Sequence, residues 1–215
     1  MVNLKSRSRA PRRFGAARAL VIVAALCVLL LLLWQLLCGA YPVFFREEVF
    51  DCAAQNGLSP YLVLAVVRVE SGFDPTATSP RGARGLMQVM PDTGRWAAGI
   101  MRIEPFSPGS LYDPYTNLRV GCWYLSYLLR RYEGDLVLAL AAYNSGPARV
   151  DAWREELARE GGGEGGGGGE GEGRTADDRV RAIPYGETRR FVSRVMRDFS
   201  RYRAIYEERL GEGER

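Results

Sequence analysis

The hydrophobic pattern divides the chain into two unlike parts. Residues 19–38, ALVIVAALCVLLLLLWQLLC, run for 20 positions without a charge. At about 1.5 Å per residue such a helix is roughly 30 Å long, the thickness of a hydrocarbon core, so the run predicts a transmembrane helix. Beyond Tyr41 apolar positions recur at helical spacing between short breakers. A first helix is predicted over 43–56, ended by Gly57. Ser59 and Pro60, a cap residue followed by proline at the first helical position, open a helix over 61–70, closed by Gly72 and Pro75. A loop rich in Ser, Pro and Gly follows over 74–85, and Pro91 begins a helix to about 98. Asp113 and Pro114 repeat the cap-plus-proline signal before a long helix to about 132. Further helices are predicted over 135–144, 147–160 and 185–210. No alternation of period two competes over six residues, so this part is expected to be an all-α domain behind one N-terminal transmembrane helix.

Residues 161–173, GGGEGGGGGEGEG, bury nothing and predict a flexible loop. Only about 40 residues follow, too few for a separate core, so one domain over 41–210 is expected, with that loop inside it.

Charge sharpens the division. The formal net charge is +4, but residues 1–40 hold Lys5, Arg7, Arg9, Arg12, Arg13 and Arg18 and no acid, which leaves −2 for residues 41–215. The basicity therefore belongs to a tail, 1–18, and gives no support for a nucleic-acid partner. Cations before the apolar run keep that end cytoplasmic, with Trp34 near the outer interface and the rest of the chain outside the cell membrane. A cleaved signal peptide is the alternative, although its apolar region is typically about 7–15 residues. Leu36-Leu37-Cys38-Gly39 also resembles, imperfectly, a lipoprotein cleavage box. Of the four cysteines, Cys27 and Cys38 fall in the apolar run; Cys52 and Cys122 could pair outside the membrane or remain free, buried thiols.

Composition excludes much chemistry. There is no histidine, so no Ser-His-Asp system, His-ligated zinc or imidazole shuttle. The only lysine is Lys5, which leaves no Schiff-base or P-loop lysine in the domain. No CxxC pair supports a metal site, and no cofactor or metal is expected. Carboxylates remain. The helix YLVLAVVRVE is apolar on nearly every face and ends on Glu70. Burial and the negative end of the helix dipole both favour the protonated acid there, the setting of a general acid. The structural alternative is a glutamate that reaches solvent or pairs with Arg68 or Arg84.

Four ordered blocks surround this residue: Glu70-Ser71-Gly72-Phe73 with Ser79-Pro80; Gly85-Leu86-Met87-Gln88-Val89-Met90-Pro91; Ala142-Tyr143-Asn144-Ser145-Gly146; and Ile183-Pro184-Tyr185-Gly186-Glu187-Thr188-Arg189. In this order and spacing, over about 42–206, the chain resembles the soluble lytic transglycosylases, whose catalytic domain has a goose-type lysozyme-like fold. The resemblance implies cleavage of the β-1,4 bond between N-acetylmuramic acid and N-acetylglucosamine in peptidoglycan glycan strands. It places the catalytic acid/base on Glu70 and substrate or positioning contacts on Ser71, Ser79, Gln88, Met90, Tyr143, Asn144 and Glu187. Gln and Asn both donate to and accept from sugar hydroxyls and N-acetyl groups, and Tyr offers a ring face with a polar tip. Met87 and Met90 could instead fill the core, and Asn144-Ser145-Gly146 also reads as a helix end and turn. Relatives often carry Tyr where this chain has Phe191.

The nearest acid in sequence to Glu70 is Asp74, which precedes Pro75 and reads as a turn residue rather than a second catalytic carboxylate. The resemblance implies one carboxyl for both proton transfers and a 1,6-anhydromuramic acid end. A lysozyme-type hydrolase of the same fold and a non-catalytic peptidoglycan-binding protein are the alternatives.

Overall fold

The computed structural model describes residues 13–160 and 175–210. The stretch 161–173 and the basic residues Lys5, Arg7, Arg9 and Arg12 lie outside them. Two compact units separate between Pro42 and Val43. The first carries α1 (Arg13–Ala40), of which Arg18–Leu36 is long and apolar enough to cross a membrane, with a mean hydropathy of 2.8.

The second unit is helical: α2 (Arg46–Gln55), α3 (Pro60–Glu70), α4 (Pro91–Met101), α5 (Pro114–Arg131), α6 (Leu136–Ser145), α7 (Pro147–Glu160), α8 (Ala176–Arg181) and α9 (Gly186–Leu210). No strand occurs among the described residues; two isolated bridges, Thr78 with Arg84 and Arg84 with Val89, tie the loop between α3 and α4 to itself. The predicted starts of α5 and α6 are built as expected, because Asp113 accepts from the Thr116 amide and Asp135 from the Leu138 amide. At α3 the proline alone marks the start: Ser59 makes no side-chain capping bond. The short 3-10 turn Pro108–Tyr112 and α8 were not anticipated. α8 is too short to show a helical period, and its start rests on a reciprocal cap between Thr175 and Asp178. An Arg179–Asp135 ion pair holds it to the start of α6.

α3 is the centre of the core. Every residue from Tyr61 to Val67 is buried, and each fully buried Val or Leu contributes about 1.5–3 kcal/mol. The helix packs along α9, where Arg68 pairs with Asp198 at 3.1 Å and the Tyr61 hydroxyl donates to the Tyr206 carbonyl at 3.2 Å. α6, likewise apolar all round, lies between α5, α7 and α9. Cys52 and Cys122 are both fully buried and unpaired, and burial pushes the Cys52 thiol up to about 11.

Candidate active site

The apolar α3 delivers Glu70 as its last residue. Its carboxyl is half-buried, and no hydrogen bond or ion pair reaches it among the described residues. Neither arginine that might have neutralised it does so: Arg68 is committed to Asp198, and the Arg84 guanidinium lies over the Tyr112 ring at 5.4 Å. Burial pushes the Glu70 carboxyl up to about 8, against a smaller downward pull from the Arg194 guanidinium on α9. No second acid contributes to that shift.

The turn after Glu70 is fixed by its neighbour. Ser71 Oγ donates to the Leu86 carbonyl at 2.8 Å, with the Val67 carbonyl at 3.2 Å, and accepts from the Phe73 amide. Gly72 and Phe73 both take positive φ to reverse the chain. Ser71 is thus built as a positioning residue. Asp74 closes a local turn, accepting from the amide and hydroxyl of Thr76 at 2.8 and 2.7 Å, and is fully exposed. These bonds hold its carboxyl below the usual range.

Above the turn, the loop over 77–90 folds on itself. Ser79 Oγ accepts from the Ala83 amide at 3.0 Å. Gln88, at φ 47°, donates from Nε2 to the carbonyls of Gly85 and Ala77, which leaves Oε1 as its open polar atom. Met87 is fully buried and is a core residue, whereas Met90 stays 42% exposed at the start of α4. Tyr143 bridges to this loop from α6: its hydroxyl donates to the Met87 carbonyl at 2.7 Å. Burial raises the Tyr143 phenol well above its ordinary range, and the Glu70 carboxyl raises it further. Glu70, Tyr143 and the Gln88 loop therefore form one cluster.

Asn144 and Glu187 form another. They line a cleft of about 260 Å³ with Arg81, Arg149 and Tyr185. Glu187 is exposed and 3.6 Å from Arg81, while Arg149 stacks on Tyr185 at 4.1 Å. Glu187 does not enter the electrostatics of Glu70. Phe191 is buried.

Three supports were not singled out from sequence. Asn117, fully buried, accepts from the Met87 amide at 2.8 Å and donates to the carbonyls of Arg84 and Leu111. Gly85 has positive φ, and a Cβ there would run into the Leu111 carbonyl and the Asn117 amide. Gly121 lets Met87 lie directly on α5. A polar residue among the apolar positions of α5 was the available signal for Asn117. Nothing local marked Arg194. Among the described residues no cluster of three His, Cys, Asp or Glu forms a metal site.

An all-helical domain that presents one unpaired, desolvated glutamate beside a tyrosine and a glutamine-bearing loop has the makings of a general-acid site. Residues 48–162 match the Transglycosylase SLT domain, and the chain belongs to that family. It is 32% identical over 184 residues to the soluble lytic murein transglycosylase of Salmonella typhimurium, an alignment covering 85% of this chain and 26% of that protein. Membrane-bound lytic murein transglycosylase C of Haemophilus influenzae is 34% identical over 107 residues, 46% of this chain and 30% of its own. The lytic transglycosylase Slt of Pseudomonas aeruginosa, solved as an inactive glutamate-to-glutamine mutant, shares the fold with a TM-score of 0.66 at 32% identity, covering 78% of this chain and 25% of that one. The chain spans about a quarter of the length of these larger soluble relatives.

Proposed function

We propose that this chain is a membrane-anchored peptidoglycan lytic transglycosylase in which Glu70 is acid and then base. The observation that carries the reading is the state of Glu70: half-buried, unpaired, beside Tyr143, and held protonated near neutral pH. A relative inactivated by one glutamate-to-glutamine exchange supports the dependence on a single carboxyl. Glu70 donates its proton to the glycosidic oxygen between N-acetylmuramic acid and N-acetylglucosamine, and the C1–O bond breaks as the 2-acetamido group assists. The resulting carboxylate takes the proton of the muramic acid 6-hydroxyl, whose oxygen bonds to C1. A 1,6-anhydro end forms, Glu70 regains its proton, and no water is consumed. The attack is fast because a tethered, aligned nucleophile has an effective molarity of about 10⁵ M or more. A carboxylate nucleophile would need to lie about 5–5.5 Å from the acid; Asp74 is held in its own turn and Glu187 in its pair with Arg81.

Ser71 positions the turn. Ser79, Gln88 and Met90 face the saccharides around the bond cleaved, with Tyr143 beside the acid and Asn144 and Glu187 farther along the groove. Residues 19–38 anchor the chain, with the basic tail 1–18 cytoplasmic and the domain 41–210 on the wall side, within reach of membrane-proximal glycan. A membrane-bound relative and the apolar α1 support the anchoring.

The test is release of soluble glycan from peptidoglycan sacculi by the full chain in detergent. Glu70→Gln keeps the shape but removes the proton, so release falls by about 10²–10⁴-fold while binding to sacculi persists. Equal release by both forms would overturn the assignment.

A further inference from the structure

Four aromatic side chains of α4 and α5 form a connected wall that the chemistry at Glu70 does not use. Trp96 of α4 stands across a row from α5, with ring centroids 5.1 Å from Trp123, 5.1 Å from Tyr127 and 6.3 Å from Tyr124, at steep interplanar angles of 67–89°. Within the row, Trp123 and Tyr124 each lie within 13° of parallel to Tyr127. The row has a direction. Tyr124 is 5.6 Å from Tyr143, the ring that borders Glu70, so aromatic contacts run without a gap from the candidate acid to Trp96.

Packing between two helices does not account for all of this. Trp96 touches three rings and still keeps 43% of its surface accessible, and Met90, just before α4, keeps 42%. The Trp96 indole N–H and the Tyr124 hydroxyl make no hydrogen bond among the described residues and are not buried, so both polar tips stay open. An apolar ring surface with open polar tips matches a pyranose, which presents C–H groups on its faces and hydroxyls around its rim. A lipid surface would favour the exposed indole but leaves the row leading to Tyr143 without a purpose.

We propose that Trp96, Trp123, Tyr124 and Tyr127 are stacking subsites for saccharides of a glycan strand beyond the bond held at Glu70, which makes long strands better substrates than short ones. The proposal rests on the reading of Glu70 given above and adds a length preference to it.

The experiment measures kcat/KM for the full chain in detergent on peptide-free peptidoglycan strands sorted by length, for wild type, Trp96→Leu and Trp96→Phe. For wild type the value rises with length. In Trp96→Leu the long-to-short ratio falls about tenfold, chiefly through KM, and in Trp96→Phe, which keeps a ring, most of it returns. Tryptophan emission during titration with the same strands reads binding separately, with Trp96→Leu marking the contribution of that indole. An unchanged ratio in Trp96→Leu overturns the wall, and does so also if that variant instead loses affinity for anionic lipid vesicles. Length-dependent binding with no cleavage of any strand leaves the wall standing and sinks the reading of Glu70. Cleavage without length dependence does the reverse.

Discussion

The Tyr143 hydroxyl donates a 2.7 Å hydrogen bond to the Met87 carbonyl. The same ring borders Glu70, so one side chain of α6 fixes the height of the Gln88 loop over the end of α3. Tyr143→Phe removes that donor and leaves a buried carbonyl unmet. It is expected to cost about 1–3 kcal/mol of stability, read by urea denaturation as a lower midpoint at constant slope. Glycan release falls further than the stability loss explains, because the loop is no longer held. Full activity in Tyr143→Phe would show that the loop has another anchor.

The raised Glu70 carboxyl makes stability depend on pH in a defined sense. Its folded-state value is about 8, and the unfolded chain ionises near the ordinary carboxyl range, about 4.3. Below that range both states are protonated and the burial costs nothing through ionisation. As pH rises towards 8 the unfolded state loses its proton and the native state keeps it, so stability falls; above 8 the penalty is constant. Glu70→Gln removes it. The variant should match wild type near pH 4 and exceed it by up to a few kcal/mol at pH 8, measured by thermal or urea unfolding across the range. A constant difference across pH would contradict the assignment.

The same group sets a limit on activity. The first step needs a protonated Glu70, so kcat/KM should fall on the alkaline side through about pH 8. A pH–rate profile on solubilised glycan strands checks this. A fall as pH rises through 4–5 would show that Glu70 ionises in the ordinary carboxyl range, contrary to its setting.

The loop depends on a cradle as much as on its own residues. Asn117 holds it at two points, the Met87 amide and the Arg84 carbonyl, and ties it to the Leu111 carbonyl, and Gly85 leaves no space for a side chain between Leu111 and Asn117. Asn117→Ala leaves the Met87 amide and the Leu111 carbonyl unmet, while the Arg84 carbonyl keeps the Val89 amide, and should cost several kcal/mol, with about 1–3 kcal/mol for each unmet group. Gly85→Ala combines a clash with a positive φ of 73° and should be at least as damaging. Gly99→Ala, on the surface of α4 with open space at its Cβ, is the control and should raise stability slightly. Denaturation midpoints of the three variants decide it.

Most of the fold was legible because its signals are local. Proline at a first helical position, Asp113 and Asp135 as caps, and an apolar α3 ending in an acid each act within a few residues. The turn role of Asp74 was legible for the same reason. What escaped depends on residues far apart in the chain. Arg194 reaches Glu70 from α9, and Asn117 meets Met87 from 30 positions away. Gln88 turns both amide hydrogens onto its own loop and leaves Oε1 alone open, a division that the residue type does not reveal. The aromatic wall was invisible as a unit, since Trp96 and the α5 row are joined only by packing.

The most direct test of the central claim is the mass of the product. Peptidoglycan digested by the full chain should yield saccharides that end in 1,6-anhydromuramic acid, lighter by one water than the hydrolysis product and resistant to borohydride reduction. Glu70→Gln should yield neither form. Reducing ends alone, each carrying the added water, would make the chain a hydrolase and contradict the account.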